Sequence, residues 1–217
     1  DIIYHHYLFW PAMLKGAGYA LPSRIPTRGH LNMASGEKMS KSRGTLVTIR
    51  EAIQKTDPEY LRYYLTAITP NSNADIGFSW EELKVKANNE LIDAYGNLVY
   101  RVLSFAHSKT GGVPTKKGEA PADKEFEPKI AAFLEKTAEY YEEVELKRAL
   151  EECLRFSGEC NKYFNDRAPW KLLKENPGQA ETVLHNSCRA VYALSVALSP
   201  VLQKSNKKVF ECLNQEA

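Results

Sequence analysis

The chain has 217 residues, of which 43% are hydrophobic, and its 29 Lys and Arg residues nearly balance its 27 Asp and Glu residues, giving a net charge of +2. These values exclude a disordered tail and a polybasic arm, and they allow one large domain or two small ones. The sequence has no run of about 18 apolar residues and does not open on a signal peptide. We therefore expect a cytoplasmic protein with no membrane partner. Because it begins at Asp1 on an amphipathic pattern, we also expect it to be a piece of a longer polypeptide.

The first 78 residues predict half of an α/β unit. A helix is expected over residues 1–18, followed by an extended stretch from Ile25 to Met33. Further on, Thr48 and Glu51 form a predicted capping box for a helix over residues 49–56, and Asp57-Pro58 begins the next helix, over residues 59–67. Since one strand cannot form a sheet, we expect its partner strands to lie upstream of Asp1.

From residue 79 onward the pattern is helical. Ser79 is the expected N-cap of a long helix with an apolar stripe: Leu83, Ala87, Leu91, Ala94, Leu98, Val102 and Phe105. Residues 111–128 predict a linker rich in Gly, Pro, Lys and Glu. After it, helices are expected over residues 129–141, 143–165, 169–175, 178–198 and 205–214. The second of these has its own apolar stripe: Leu146, Ala149, Leu150, Cys153, Phe156, Cys160, Tyr163 and Phe164. These helices predict an antiparallel bundle.

Cysteine usage argues against a structural metal site. Cys153, Cys160, Cys188 and Cys212 form no CxxC pair, and no histidine lies at metal-ligand spacing from them. We expect all four to be buried free thiols in a reducing compartment, with neither a zinc site nor a disulfide framework.

A basic loop, GEKMSKSRGT, occupies residues 36–45. Gly36 and Gly44 are predicted hinges, and Lys38 and Lys41 are close enough for both ammonium groups to reach one polyphosphate. The spacing does not fit a Walker P-loop or a dinucleotide fingerprint. Charge runs between glycines are usually solvated turns, so a binding role competes with that simpler interpretation.

The five residues Lys38-Met39-Ser40-Lys41-Ser42 resemble the KMSKS signature of class I aminoacyl-tRNA synthetases, and Arg43-Gly44 follow as in that family. The resemblance implies binding of ATP, with Mg²⁺, by these five residues and its reaction with an amino acid to give an aminoacyl-adenylate. It also implies a catalytic role for Lys38 and Lys41, which would neutralise charge on the leaving pyrophosphate.

The opening segment DIIYHHYLFWPAML is similar to the methionyl-tRNA synthetase family, in which this helix walls the methionine pocket. The resemblance implies methionine binding by Asp1, Ile2, His6 and Trp10. Ile2, His6 and Trp10 are four residues apart and share a helix face, and a thioether packs well on aromatic edges. Without the resemblance the preferred interpretation would be that Ile2 and Trp10 are plain core and His6 is a satisfied core histidine. His5 departs from the family, which usually has Phe at that position.

Two further segments resemble the anticodon-reading residues of the same family. In DAYGNLVYR the matching residues are Asn97 and Arg101, and in NDRAPWKLLK the match is Trp170. The resemblance implies that they recognise the anticodon loop of tRNA(Met). Unstacked bases are read in this way, by stacking on an indole and by hydrogen bonds to their edges. The alternatives are a Trp170 that locks a helix onto the bundle and an Arg101 paired with a carboxylate.

The sequence as a whole predicts a mainly α fold: the C-terminal remnant of a Rossmann-like catalytic domain followed by an antiparallel α-helical anticodon-binding bundle. We expect residues 1–69 to belong to the catalytic domain, 70–82 to connect the two, and 83–217 to form the bundle. The implied partners are methionine, ATP, tRNA(Met) and the N-terminal half of the same polypeptide, without which we expect no activity. A class I synthetase for leucine, isoleucine or valine and a non-catalytic tRNA-binding module are the alternatives.

Overall fold

The computed structural model describes residues 2–40 and 42–214, so Asp1 and Lys41 lie outside the described residues. The protein is 69% helical with a small parallel sheet, which confirms the mainly α fold class. Within the described ranges, no helix is both long and apolar enough to cross a membrane.

The described part of the chain contains nine helices and two short strands. Helix α1 spans residues 2–16, with a π-helical segment His5–Phe9, and α4 spans residues 80–110, with a π-helical segment Ala87–Gly96. The others are α2 (Ile49–Lys55), α3 (Pro58–Ile68), α5 (Pro121–Glu142), α6 (Leu146–Arg167), α7 (Pro169–Glu175), α8 (Pro177–Leu198) and α9 (Gln203–Cys212). The strands are β1 (Leu31–Met33) and β2 (Ile76–Phe78).

The predicted helix starts are confirmed by their caps. Thr48 and Glu51 form the full capping box of α2, and Asp57 accepts the N–H of Glu59 at the start of α3. Ser79 likewise accepts the N–H of Glu82 at the start of α4. Each cap satisfies a backbone donor that has no partner inside the helix.

The sheet differs from the sequence prediction. β1 pairs in parallel with β2, with Leu31 opposite Ile76 and Met33 opposite Phe78. The expectation that the partner strand lies upstream is therefore wrong for this pairing, and of the predicted extended stretch only Leu31–Met33 is a strand. β2 is three residues long in a polar segment, so its strand character depends on the pairing and not on local propensity.

The bundle is longer than the sequence predicts, because α5 begins inside the predicted linker 111–128. Pro121 occupies the first turn, and the Asp123 carboxylate accepts the N–H of Ala120 at 2.8 Å. The next helix begins at Leu146 and not at residue 143. Val144 has a φ of 58°, which is incompatible with a right-handed helix at that position. Leu146, predicted on the core stripe, is exposed, since it lies on the first turn of α6.

Helices α4, α5, α6 and α8 enclose one continuous apolar core that contains Val102, Phe133, Phe156 and Leu194. Cys153, Cys160 and Cys188 are buried in it, and burial raises the pKa of the Cys153 and Cys188 thiols to about 12. These thiols are therefore protonated and unreactive at neutral pH. Cys212 is exposed, so the prediction of four buried thiols is wrong for it; it belongs to the last turn of α9, whose core contacts are made by Val209 and the following Leu213.

A second apolar cluster brings together residues of α2, α3, β2 and the start of α4: Ala52, Leu61, Tyr64, Phe78 and Leu83. Polar contacts join this part to the bundle. Glu59 on α3 accepts the backbone N–H groups of Lys204 and Ser205 at 2.6 and 3.2 Å, where its negative charge faces the N-terminal end of α9. Arg28, just before β1, donates to the Val144 carbonyl at 2.9 Å.

Candidate functional site

The loop at residues 36–45 is bounded by two glycines in left-handed conformations. Gly36 has a φ of +81° and Gly44 a φ of +70°, and a Cβ at either position would meet nothing within 4 Å. Glycine is therefore required here by the backbone conformation and not by lack of space. Hinge motion at these two glycines stays a prediction.

Thr45 holds the loop closed. Its hydroxyl donates to the Lys38 carbonyl and accepts the Ser40 N–H, both at 3.1 Å, while its own N–H donates to the Ser40 carbonyl at 3.1 Å. The Ser40 and Ser42 hydroxyls lie 3.0 Å apart. The sequence prediction missed Thr45, although a hydroxyl residue directly after a hinge glycine is a recognisable signal for such a loop clamp.

The side chains of the loop point to two environments. Lys38 is exposed, and among the described residues no carboxylate lies within ion-pair distance of its ammonium group. Met39 is half-buried and packs with Val47 against the second apolar cluster. Met39 thus anchors the loop while Lys38 stays available to a ligand. The second predicted lysine, Lys41, lies outside the described residues.

The predicted methionine-binding residues share one face of α1. The His6 Nδ1 atom lies 3.0 Å from the Ile2 carbonyl oxygen, and the His6 and Trp10 rings meet edge-on with centroids 6.4 Å apart. Ile2 is 61% exposed and Trp10 43%, so this face is open to solvent. Asp1 lies outside the described residues. The face includes part of the π-helical segment His5–Phe9, and such segments are frequent at functional sites.

Arg101 and Trp170, predicted on separate helices, meet at one side chain. The guanidinium of Arg101 lies 5.4 Å from the ring centroid of Phe164, and the Trp170 ring meets the same phenyl edge-on at 5.9 Å. Arg101 also donates to the Asn165 amide oxygen at 2.6 Å, so its polar partner is an amide and not the carboxylate considered above. Phe164 and Asn165 were not predicted as site residues.

Asn97 lies one helical turn before Arg101 and is exposed, with its amide 3.4 Å from Asp93. Trp170 is 40% exposed, so its indole both packs on Phe164 and presents surface to solvent. An amide, a guanidinium and an indole are thus displayed on adjacent helices, and these groups can hydrogen-bond base edges and stack on an unpaired base.

A buried ion pair supports the turn that carries Trp170. Asp123 has no exposed surface and accepts two hydrogen bonds from Arg167, at 2.9 and 3.0 Å, and one from the Tyr163 hydroxyl at 2.8 Å. Ala168, which follows Arg167, adopts a left-handed conformation (φ 41°, ψ 63°), and α7 begins directly after it. The start of α5 therefore fixes the end of α6. No local signal at Asp123 indicated this partner, 44 residues away.

Comparisons with known proteins identify two family models on this chain. "tRNA synthetases class I (M)" matches residues 1–103, and "Anticodon binding domain of methionyl tRNA ligase" matches residues 113–217.

Curated relatives named methionine–tRNA ligase are similar over almost the entire chain. The one from Methanosphaera stadtmanae is 38% identical over 99% of this chain, and the one from Methanopyrus kandleri is 41% identical over 100%. The chain spans 32% of the length of each. A solved structure, Mycobacterium tuberculosis methionyl-tRNA synthetase in complex with methionyl-adenylate, matches all of this chain and 43% of its own with a TM-score of 0.87 and 32% identity.

Proposed function

The chain belongs to the methionyl-tRNA synthetase family, and from that premise we propose that the whole protein joins methionine to tRNA(Met) through methionyl-adenylate, consuming ATP as its magnesium complex. The observation that carries the proposal is the presence of both matching models in one chain: the first covers the lysine loop together with Asn97 and Arg101, and the second covers Trp170. The reaction then divides between these two parts.

The loop at residues 36–45 acts on the ATP phosphates. Lys38 and Lys41 neutralise charge that builds on the pyrophosphate as the methionine carboxylate displaces it, and Ser40 and Ser42 add hydroxyl donors. Support comes from the exposed ammonium group of Lys38, which forms no ion pair with a carboxylate of residues 2–40 or 42–214, and from the positive φ of Gly36 and Gly44. The hinges let the loop move over the nucleotide, while Met39 anchors the loop to the second apolar cluster.

The open face of α1 forms one wall of the methionine pocket. Ile2, His6 and Trp10 offer an aliphatic group, an imidazole and an indole to a flexible thioether. The role proposed for Asp1 is contact with the substrate amino group or the adenosine. Their exposure supports a pocket completed by another part of the polypeptide, since the chain spans only a third of its curated relatives. Residues 1–217 alone therefore do not form adenylate.

The bundle reads the anticodon. A base of the anticodon loop stacks on Trp170, while Asn97 and Arg101 form hydrogen bonds to base edges. The contacts of Arg101 with Phe164 and Asn165 orient its guanidinium before RNA binds. Residues 1–69 then form the catalytic part, 70–82 the connection and 83–217 the RNA-binding part. Polar contacts at Glu59 and Arg28 hold the two parts together.

Methionine-dependent exchange of pyrophosphate into ATP tests the catalytic half of the proposal. In the whole protein, Lys38→Ala should lower the exchange rate roughly 100-fold, by analogy with loss of a transition-state donor. Lys15→Ala, an exposed lysine on α1, is the matched control and should leave the rate unchanged. Equal rates for both variants would contradict the role of Lys38. Exchange by residues 1–217 alone would contradict their dependence on the remaining polypeptide.

Binding of a CAU stem-loop RNA tests the anticodon half. Trp170→Ala should weaken binding, because a stacked base contributes about 1–3 kcal/mol. A stem-loop with a scrambled anticodon is the control, and it should bind wild type and variant equally weakly. Substituting leucine, isoleucine or valine in the exchange assay separates the methionine enzyme from its class I alternatives, and exchange itself separates an enzyme from a non-catalytic RNA-binding module.

A further inference from the structure

A groove runs between α4 and α9. Val99, Tyr100, Leu103 and Ser104 line it from α4, and Lys208 and Val209 from α9. Its volume is about 360 Å³, and its wall is largely apolar. That size falls in the range of sites that hold small-molecule ligands.

Tyr100 gives this groove an exposed aromatic wall. Its side chain is 73% exposed, whereas Leu98 and Val102 on the same helix are buried. An aromatic ring held in water on a rigid helix offers a stacking surface at little entropic cost, because the backbone beneath it is already ordered.

The groove adjoins the anticodon-reading face. Residues 97–110 are α-helical, so successive side chains are about 100° apart around the axis. On that basis Asn97 lies between Arg101 and Tyr100, and all three occupy one arc of about 100°. A single RNA loop that reaches Asn97 and Arg101 from one side therefore passes Tyr100 on the other.

Lys208 places a positive charge on the opposite wall of the groove, and two further lysines lie on the same helix. Lys204, Lys207 and Lys208 on α9 are exposed, and their ammonium groups form no ion pair with any carboxylate of residues 2–40 or 42–214. The same helix exposes one acidic residue, Glu211. Lysines beside an aromatic ring favour a partner with alternating anionic and planar groups, as in single-stranded RNA.

We propose that the α4–α9 groove binds a nucleotide of the RNA loop next to those read by Asn97, Arg101 and Trp170, with its base on the Tyr100 ring and its phosphate on Lys208. This inference rests on the proposed anticodon recognition and extends it to a second surface of α4. It makes Tyr100 and Lys208 RNA-binding residues, with Ser104 as a hydroxyl partner for a base edge or ribose.

Binding of a fluorescein-labelled CAU stem-loop to the whole protein tests the inference. Tyr100→Ala should weaken binding about tenfold, the usual order of loss for a stacked base. Tyr100→Phe, which keeps the ring, should bind within about twofold of wild type. Tyr19→Ala is the matched control, because Tyr19 is 70% exposed but lies far from α4 in the chain. A stem-loop series, each with one abasic loop position, then locates the base, since the Tyr100→Ala effect should vanish at one position.

The proposed contact between Lys208 and a phosphate is tested by the salt dependence of RNA binding. Lys208→Gln should reduce the slope of log affinity against log salt by about 0.7, the value for one phosphate of a single strand, while Lys15→Gln should leave the slope unchanged. An unchanged slope for Lys208→Gln would overturn the phosphate contact.

Trp170→Ala, measured in parallel, separates failure of this inference from failure of the proposed function. Weaker binding by Trp170→Ala with no change for Tyr100→Ala overturns the groove and leaves anticodon recognition standing. No change for either variant overturns both. A Tyr100→Ala loss that is equal at every abasic position also overturns the groove, because Tyr100 would then act on the fold of α4 or on a segment of the chain that covers it.

Discussion

Helix α1 and the bundle show similar hydrophobic periodicity in the sequence, but they differ in burial. Ile3 and Met13 on α1 are 66% and 71% exposed, whereas Phe156 and Leu194 in the bundle have no exposed surface. Periodicity therefore predicts that a segment is a helix with an apolar face, but not whether the described chain supplies a partner for that face.

The same difference appears in the candidate sites. Arg101 and Trp170 are held by side chains of the bundle itself, mainly Phe164 and Asn165. The loop around Lys38 is held mostly by hydrogen bonds between the Thr45 hydroxyl and the loop backbone, and the Lys38 side chain is exposed. The bundle residues are thus ordered by their own contacts, whereas under the proposed function the site formed by the first 78 residues needs further polypeptide. Four predictions test this contrast, from the largest expected effect to the smallest.

Truncation of two phenylalanines compares the regions directly. Phe156→Ala should lower the free energy of unfolding by about 3–5 kcal/mol, because it leaves a cavity in the bundle core. Phe9→Ala, on the exposed face of α1 at 52% exposure, should change it by less than about 0.5 kcal/mol. Urea denaturation measures both. Similar losses would show that α1 contributes to the same core and would break the comparison.

Removal of a carboxylate should distinguish a buried ion pair from an exposed one. Asp123→Ala leaves Arg167 partly buried and unpaired, which should cost about 3 kcal/mol. Glu143→Ala breaks the exposed contact with Arg24 and should leave the free energy of unfolding nearly unchanged. Asp123→Ala should also weaken binding of the CAU stem-loop, because the turn before Trp170 loses its support. Intact RNA binding by a folded Asp123→Ala variant would argue against that positioning role.

Loss of the α2 cap should have a local effect. Thr48→Ala removes the acceptor for the Glu51 N–H and should destabilise α2 by about 1 kcal/mol. Because α2 is short and mostly exposed, the amides of residues 49–55 should exchange faster while those of α6 keep their protection. Thr48→Ser, which keeps the hydroxyl, is the control. Equal acceleration in α6 would show that the loop side and the bundle unfold together.

The smallest expected effect is on the stability of the protein at acidic pH. Hydrogen bonds from Arg155 and then Lys136 hold the pKa of the Glu152 carboxyl below its usual range. The stabilisation is therefore present above the unfolded-state pKa and is lost as pH falls through the lower folded-state pKa. The melting temperatures of wild type and Glu152→Gln should differ at about pH 7 and converge towards about pH 3. A constant difference across this range would exclude a contribution from ionised Glu152.

Local chemistry accounts for what could be predicted from the sequence. The caps at Thr48, Asp57 and Ser79 were predicted because a cap and its donor lie within three residues. The hinge glycines and the KMSKS resemblance are equally local. In contrast, the start of α5 inside the predicted linker depends on Asp123, whose ion-pair partner Arg167 is 44 residues away.

The sequence alone determined the helical periodicity, the caps, the basic loop and the residues that carry the family resemblance. Only the tertiary structure decided that β1 pairs with β2, that Arg101 and Trp170 meet at Phe164, that Tyr100 borders a groove with Lys208, and that α1 stays exposed. The physical reason is distance along the chain. Caps and periodic faces arise between neighbours, whereas strand pairing, shared side-chain contacts and burial depend on segments that only folding brings together.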